Sequence, residues 1–334
     1  MQASGTWQAP GLPRRGISRR AFLSGAIAGA GLMLPGMPAL AGGKGFFARH
    51  GLPIGLQLYT VGDAARTDIA GTLRKVAAAG YRTVELAGFH GHDARTLKSA
   101  ADAAGIRFTS IHVQAQARGT EPGFDEDPAK LAADLHLLGI GEVVLPMFSL
   151  PAHLPKPAQG QHFSDYLAQA ALLITVADWR GTADFLNTKA VLLRKEGLRV
   201  SYHNHNVEFA PAAGGGGLRG IDVLLAHTDP ALVSFEMDVG WVAAAGVDPV
   251  PLLTARPHRF RMMHVKDLRA DTRPNFALRM DSTEVGAGML DWKQLLPLAY
   301  ATGVRRFFVE QEPPFAKDRF QSIAQSCAYL RALA

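Results

Sequence analysis

The 334 residues contain a single cysteine, Cys327, so no disulfide can form within the chain and no thiolate cluster exists to hold a structural zinc ion. Cys327 sits in an apolar helical pattern near the C-terminus and reads as core rather than nucleophile. Long hydrophobic runs are also missing: the stretch from Ala21 to Leu34 is shorter than the ~20 apolar residues a membrane-spanning helix requires. No G-x-G-x-x-G or G-x-x-x-x-G-K loop follows the first strand-like segment, which argues against a nucleotide-binding sheet. Charged residues make up 19%, and much of the net charge of +6 comes from Arg14, Arg15, Arg19, Arg20, Lys44 and Arg49 at the N-terminus. The rest of the chain therefore lacks the basic excess expected of a nucleic-acid binder, and no nucleic-acid partner is expected.

What is present begins with that N-terminus. Ser18-Arg19-Arg20-Ala21-Phe22-Leu23 is a twin-arginine pattern, and the small apolar stretch after it leads to Ala39-Leu40-Ala41, an A-x-A cleavage signal. Residues 1–41 are expected to be a signal peptide read by the twin-arginine translocation machinery, and residues 42–334 a periplasmic mature domain. An uncleaved N-terminal anchor is the alternative. Such a route carries proteins already folded, so a metal would be bound before export.

A hydrophobic fraction of 48% is enough for a sizeable core. Strand-like segments recur at residues 54–59, 82–86, 106–113, 141–146, 198–204, 232–238, 260–265 and 305–310. Helical patterns separate them, such as residues 71–79 with Leu73, Val76 and Ala77 on one face, and a long stretch over 165–195. Several end at a glycine before the next strand: Gly80, Gly105, Gly139, Gly197 and Gly303. Eight βα units in one domain predict a single (β/α)8 TIM barrel, with a doubly wound open sheet as the alternative.

Barrel strands point alternate residues inward, and their C-terminal ends build the active site. Three late segments end in metal-capable side chains, Asp238, His264 and Glu310, and a fourth offers His203 and His205. With Asp238 inward, Glu236 and Ser234 share its face, while Met237, Phe235 and Val233 face the helices. Glu85, His112 and Gln57 hold comparable terminal positions in earlier strands. Any one of these could be a packing histidine or a helix-capping carboxylate. Four consecutive strands ending this way are harder to explain, because clustered carboxylates are costly to bury unless a cation neutralises them. Carboxylate and imidazole donors without thiolate suit Mn²⁺, Zn²⁺, Co²⁺, Fe²⁺ or Mg²⁺.

At these residues the chain resembles the sugar phosphate isomerase/epimerase superfamily, the xylose isomerase-like metal-dependent barrels. The resemblance runs from about Ile54 to the C-terminus. It is carried by Val84-Glu85-Leu86, Tyr202-His203-Asn204-His205, Met237-Asp238-Val239-Gly240-Trp241, His264-Val265-Lys266-Asp267, Glu284-Val285-Gly286-x-Gly288, Leu290-Asp291-Trp292 and Val309-Glu310-Gln311. It implies one divalent metal ion held by Asp238, His264 and Glu310, with His203 or His205 as fourth ligand. In the ketose epimerases of the superfamily, glutamates of strands five and eight exchange the substrate proton as a pair. Here the strand-five position is His203, and Glu208 could supply a carboxylate only by folding back.

The chemistry expected is proton abstraction next to a carbonyl of a free or keto-sugar, giving an isomerase or epimerase; loss of a hydroxyl or glycosyl group would instead make a dehydratase or lyase. Candidate bases are Glu310, His203, Glu85 and Lys266, the last with a salt bridge to Asp267 as its alternative role. His112, His205, Trp241 and Phe148 are candidate substrate contacts, and His90 and His92 are placed on a loop at the barrel mouth. Two further readings come from other classes: an endonuclease IV-like nuclease holding several ions, and a non-catalytic sugar-binding barrel. A homodimer through the outer helices is compatible with the fold.

Overall fold

A computed structural model of the protein describes residues 45–334; the predicted signal over 1–41 lies outside the described residues. Eight parallel strands form a closed barrel. They are β1 (Gly55–Gln57), β2 (Thr83–Ala87), β3 (Arg107–His112), β4 (Glu142–Leu145), β5 (Arg199–His203), β6 (Val233–Asp238), β7 (Phe260–Val265) and β8 (Arg306–Val309). Closure comes from β8 pairing with β1 through Gly55↔Phe308 and Leu56↔Val309. Gly55 is required there, since a Cβ would lie 2.4 Å from the Phe308 ring. Each expected strand is present, and the helix-closing glycines take φ values between 65° and 118°. Among the described residues no helix is long and apolar enough to cross a membrane.

Two expected elements differ. The first strand is cut short because Gln57 Oε1 accepts from Tyr59 N at 3.1 Å, and residues Leu58–Val61 wind into a 3₁₀ turn. The helical stretch over 165–195 is broken into Phe163–Ala170 and Val176–Lys195. The second helix starts afresh because Thr175 and Asp178 form a capping box: Asp178 N donates to Thr175 Oγ1, and Thr175 N to Asp178 Oδ2.

Alternation sorts the barrel interior into layers. At the N-terminal end Glu142 is buried and accepts from Arg199 Nε (3.0 Å), Arg306 Nη1 (3.2 Å) and Ser201 Oγ (2.8 Å). Above it Val144, Met262 and Phe308 form an apolar plug. Everything polar above that plug belongs to the candidate site, while Val233, Phe235 and Met237 pack outward into the main core under the helices.

Candidate metal centre and its cavity

Register brings Asp238 of β6 beside His264 of β7, and Glu310 follows β8 with the inward parity of Phe308. His264 Nδ1 lies 2.7 Å from Glu310 Oε2 and 3.5 Å from Asp238 Oδ2. One donor atom from each of the three lies within 4.8 Å of the other two. Asp238 does a second job, because its Oδ1 accepts from Trp241 N at 2.8 Å and caps the helix Val239–Ala244.

Lys266 enters the same space, two residues on from His264. Its Nζ is 2.8 Å from Asp238 Oδ2, 2.8 Å from Glu310 Oε2 and 3.1 Å from Glu312 Oε1. Burial works against the ammonium, yet Asp238, Glu310 and Glu312 together hold its pKa well above the ordinary lysine value. Likewise burial would raise the Glu310 carboxyl, but Lys266 and His264 hold it well below the usual range. The alternative pairing with Asp267 is not made. Asp267 Oδ2 accepts from Gly286 N (2.9 Å), Gly288 N (3.3 Å) and Trp292 Nε1 (2.8 Å), which explains the G-x-G and D-W motifs as a backbone cradle. Glycine is needed at 288, where a Cβ would lie 2.1 Å from Asp267 Oδ1.

Beneath this set lies a second polar layer. Glu85 Oε1 accepts from Gln57 Nε2 (2.8 Å) and pairs with His264 Nε2 (2.7 Å) and His112 Nε2 (3.1 Å). Glu236 Oε2 is met by His112 Nε2 at 2.9 Å and His203 Nδ1 at 3.1 Å. Burial opposes a charge on His112, but Glu85 and Glu236 raise its pKa to about 9. Burial and the neighbouring cations push His203 well below the ordinary value and His205 to about 3, so both rings are neutral.

A cavity of about 760 Å³ opens above these layers, at the strands' C-terminal ends. His112, His203, His205, Trp241 and Glu310 line it, together with Gln311 and Glu312. Asp238, His264, Lys266 and Glu85 are fully buried below its floor. Glu85 therefore orients His264 rather than reaching a substrate, the usual role of a carboxylate behind a ligating imidazole. His203 turns to Glu236, with its Nε2 4.0 Å from Asp238 Oδ2, while His205 lies beyond it with Nδ1 unpartnered. Phe148 needs correction as a substrate wall: its ring packs 4.6 Å from Trp179 and stays in the core, because the loop after β4 folds against the helix Val176–Lys195. Glu208 does not fold back to the site; it accepts from Tyr202 Oη (2.6 Å) and His205 N (3.0 Å). His90 lines the cavity, whereas His92 bonds Ala65 O at 2.9 Å. Glu236 and Glu312 were not singled out as site residues, although Glu236, a charge facing inward in mid-strand, carried a readable signal.

Residues 73–333 match the family model described as a xylose isomerase-like TIM barrel. The chain belongs to that family. An inosose dehydratase from Geobacillus thermodenitrificans (strain NG80-2) is 25% identical over 278 residues, 78% of this chain and 87% of that one. The crystal structure of a sugar phosphate isomerase/epimerase from Parabacteroides distasonis aligns with a TM-score of 0.66 at 26% identity, covering 84% of this chain and 93% of that one. A family member from Mycobacterium smegmatis, solved in complex with magnesium, shares the fold with a TM-score of 0.58 at 15% identity, over 85% of this chain and 99% of that one.

The residues present fit a divalent ion. The donors are two carboxylates and an imidazole, and Asp238 Oδ2, fully buried, has no aligned hydrogen bond despite the nearby ammonium. An ion seated there would displace Lys266 Nζ toward Glu312, which is within reach at 3.1 Å.

Proposed function

We propose that the protein is a metal-dependent enzyme acting on a polyhydroxylated ketone, a keto-sugar or keto-cyclitol, and that its reaction is elimination of water. When bound, a divalent ion at Asp238, His264 and Glu310 would polarise the substrate carbonyl and make the adjacent C–H more acidic. The asymmetry of the cavity carries the choice of reaction. Of the four carboxylates lining it, Asp63, Glu121, Glu310 and Glu312, none comes from β5 or the loop after it; Glu310 and Glu312 come from the end of β8, and the β5 side presents His203 and His205. Epimerisation through paired carboxylates calls for one on each face, and Glu208, the carboxylate of the loop after β5, is turned away to Tyr202.

Elimination needs unlike partners instead, a base for the C–H proton and an acid for the departing hydroxyl. Neutral His203 or His205, or ionised Glu310, takes the proton from carbon. Protonated Lys266, moved toward the cavity-lining Glu312 when the ion takes its place, gives one to the hydroxyl, which leaves as water, and the carbon pair becomes a double bond. Trp241 and Gln311 line the cavity, and their Nε1 and Oε1 atoms, buried and without hydrogen-bond partners, suit the remaining hydroxyls once a side chain turns toward them. The inosose dehydratase similarity supports this reading. The Parabacteroides similarity supports isomerisation or epimerisation by the same proton abstraction as the second reading.

The deciding experiment supplies metal and a panel of keto-cyclitols and 3-keto sugars in deuterated water. Elimination yields a product lighter by one water. A product of unchanged composition carrying solvent deuterium on carbon would assign an isomerase or epimerase instead, and no exchange with any substrate would refute both readings.

A further inference from the structure

We infer that the barrel holds a second, deeper cation site, built by His112, His203 and Glu236 with the far face of His264. Its donor atoms all lie within 4.8 Å of one another, and it is separate from the Asp238, His264 and Glu310 set in everything but the shared imidazole. His264 faces the upper set with Nδ1 and the deeper one with Nε2, so holding both ions at once takes an imidazolate, its ring protons passing to solvent as the metals bind.

The hydrogen bonding is lopsided in a way that a bound cation would explain. Three imidazole nitrogens, His112 Nε2, His203 Nδ1 and His264 Nε2, crowd one oxygen, Glu236 Oε2, at 2.9, 3.1 and 3.1 Å. The twin oxygen, Glu236 Oε1, is buried and has no partner. A carboxylate spreads its acceptor capacity over both oxygens, so hydrogen bonding alone gives no reason for three donors on one and none on the other. Four donors around a tetrahedral ion with arms of ~2.0–2.1 Å sit ~3.3 Å apart along each edge. The three nitrogen-to-oxygen separations need to open only slightly to reach that value. The cluster contains no thiolate, and three imidazoles with one carboxylate favour zinc, cobalt or iron over magnesium. Glu85 Oε1 approaches two of the same nitrogens, His112 Nε2 at 3.1 Å and His264 Nε2 at 2.7 Å, so a bound ion would take its place against them.

Cobalt(II) titrated into the purified, metal-free chain tests the site, read by bound metal per chain and by the intense visible absorption of tetrahedral cobalt. The wild type is expected to take two equivalents. Glu236→Gln and His112→Gln should each retain one, and Asp238→Asn should remove the other one. A single equivalent that survives both Glu236→Gln and His112→Gln but is lost in Asp238→Asn would overturn the deep site. A single equivalent lost in Glu236→Gln and kept in Asp238→Asn upholds it and refutes the upper set. If circular dichroism shows that Glu236→Gln does not fold, His112→Gln decides alone.

Discussion

Lys266 neutralises three carboxylates from inside the barrel, so its removal should expose how much the site depends on a cation. In Lys266→Met, with metal chelated away, Asp238, Glu310 and Glu312 lose the ammonium they share, and a broken buried pair of this kind costs about 3–5 kcal/mol. Excess divalent metal should return most of that loss in urea unfolding, and more than it adds to the wild type. Equal metal effects on both proteins would refute the idea that ammonium and ion compete for one place. His90 sets a different test. It is buried, holds φ 53° and has its pKa lowered from 6.5 to about 4 by burial first and then by Arg66. The unfolded imidazole takes up its proton first as pH falls, so this contribution is complete above pH 6.5 and fades toward pH 4. The loss amounts to about 3 kcal/mol. His90→Asn, which tolerates the same backbone conformation, should flatten the stability profile in that window, and an unchanged slope would reject the assignment. At this scale the sequence was partly readable. Asp238, His264 and Glu310 announce themselves by ending strands, whereas the turn of His203 toward Glu236 depends on the barrel's stagger across β5 and β6, which no local pattern contains.

The elements around the site are held by an anchor that the sequence disguised. Asp267 looked like a partner for Lys266, its neighbour, but adjacent residues leave a strand on opposite faces, and the carboxylate points away into the segment carrying Gly286, Gly288 and Trp292. Together with the short antiparallel ribbon of Asp267–Leu268 and Ser282–Thr283, this fixes the long connection between β7 and β8. Asp267→Ala should strand several donors in a buried place, at about 1–3 kcal/mol for each left unsatisfied. The expected result is a large drop in the unfolding midpoint with the surviving folded fraction still able to bind metal, since no Asp267 oxygen reaches the metal set. Loss of metal binding at full stability would contradict this division of labour. The strands themselves were legible because buried parallel strands are short apolar runs with sharp ends. The break at Thr175 was not, because the same apolar periodicity continues through the capping box and only the Thr-x-x-Asp spacing marks it.

For the whole molecule, the order of folding, metal loading and export is the open step. We propose that residues 1–41 direct the chain through the twin-arginine pathway and that the metal is bound first. The site favours that order: Asp238 and His264 are fully buried below the cavity floor, so an ion there is enclosed by the barrel's own closure through β8 and β1. A chain exported unfolded would have to find its ion among competing metals outside the cell, with geometry as its only means of selection. Replacing Arg19 and Arg20 together by lysine should therefore leave a folded, metal-loaded barrel in the cytoplasm. Cell fractionation with metal analysis reads both parts at once. Normal appearance of the variant in the periplasm would refute the export route. A cytoplasmic variant that is folded but metal-free would separate the two claims, keeping the route and rejecting metal loading before export.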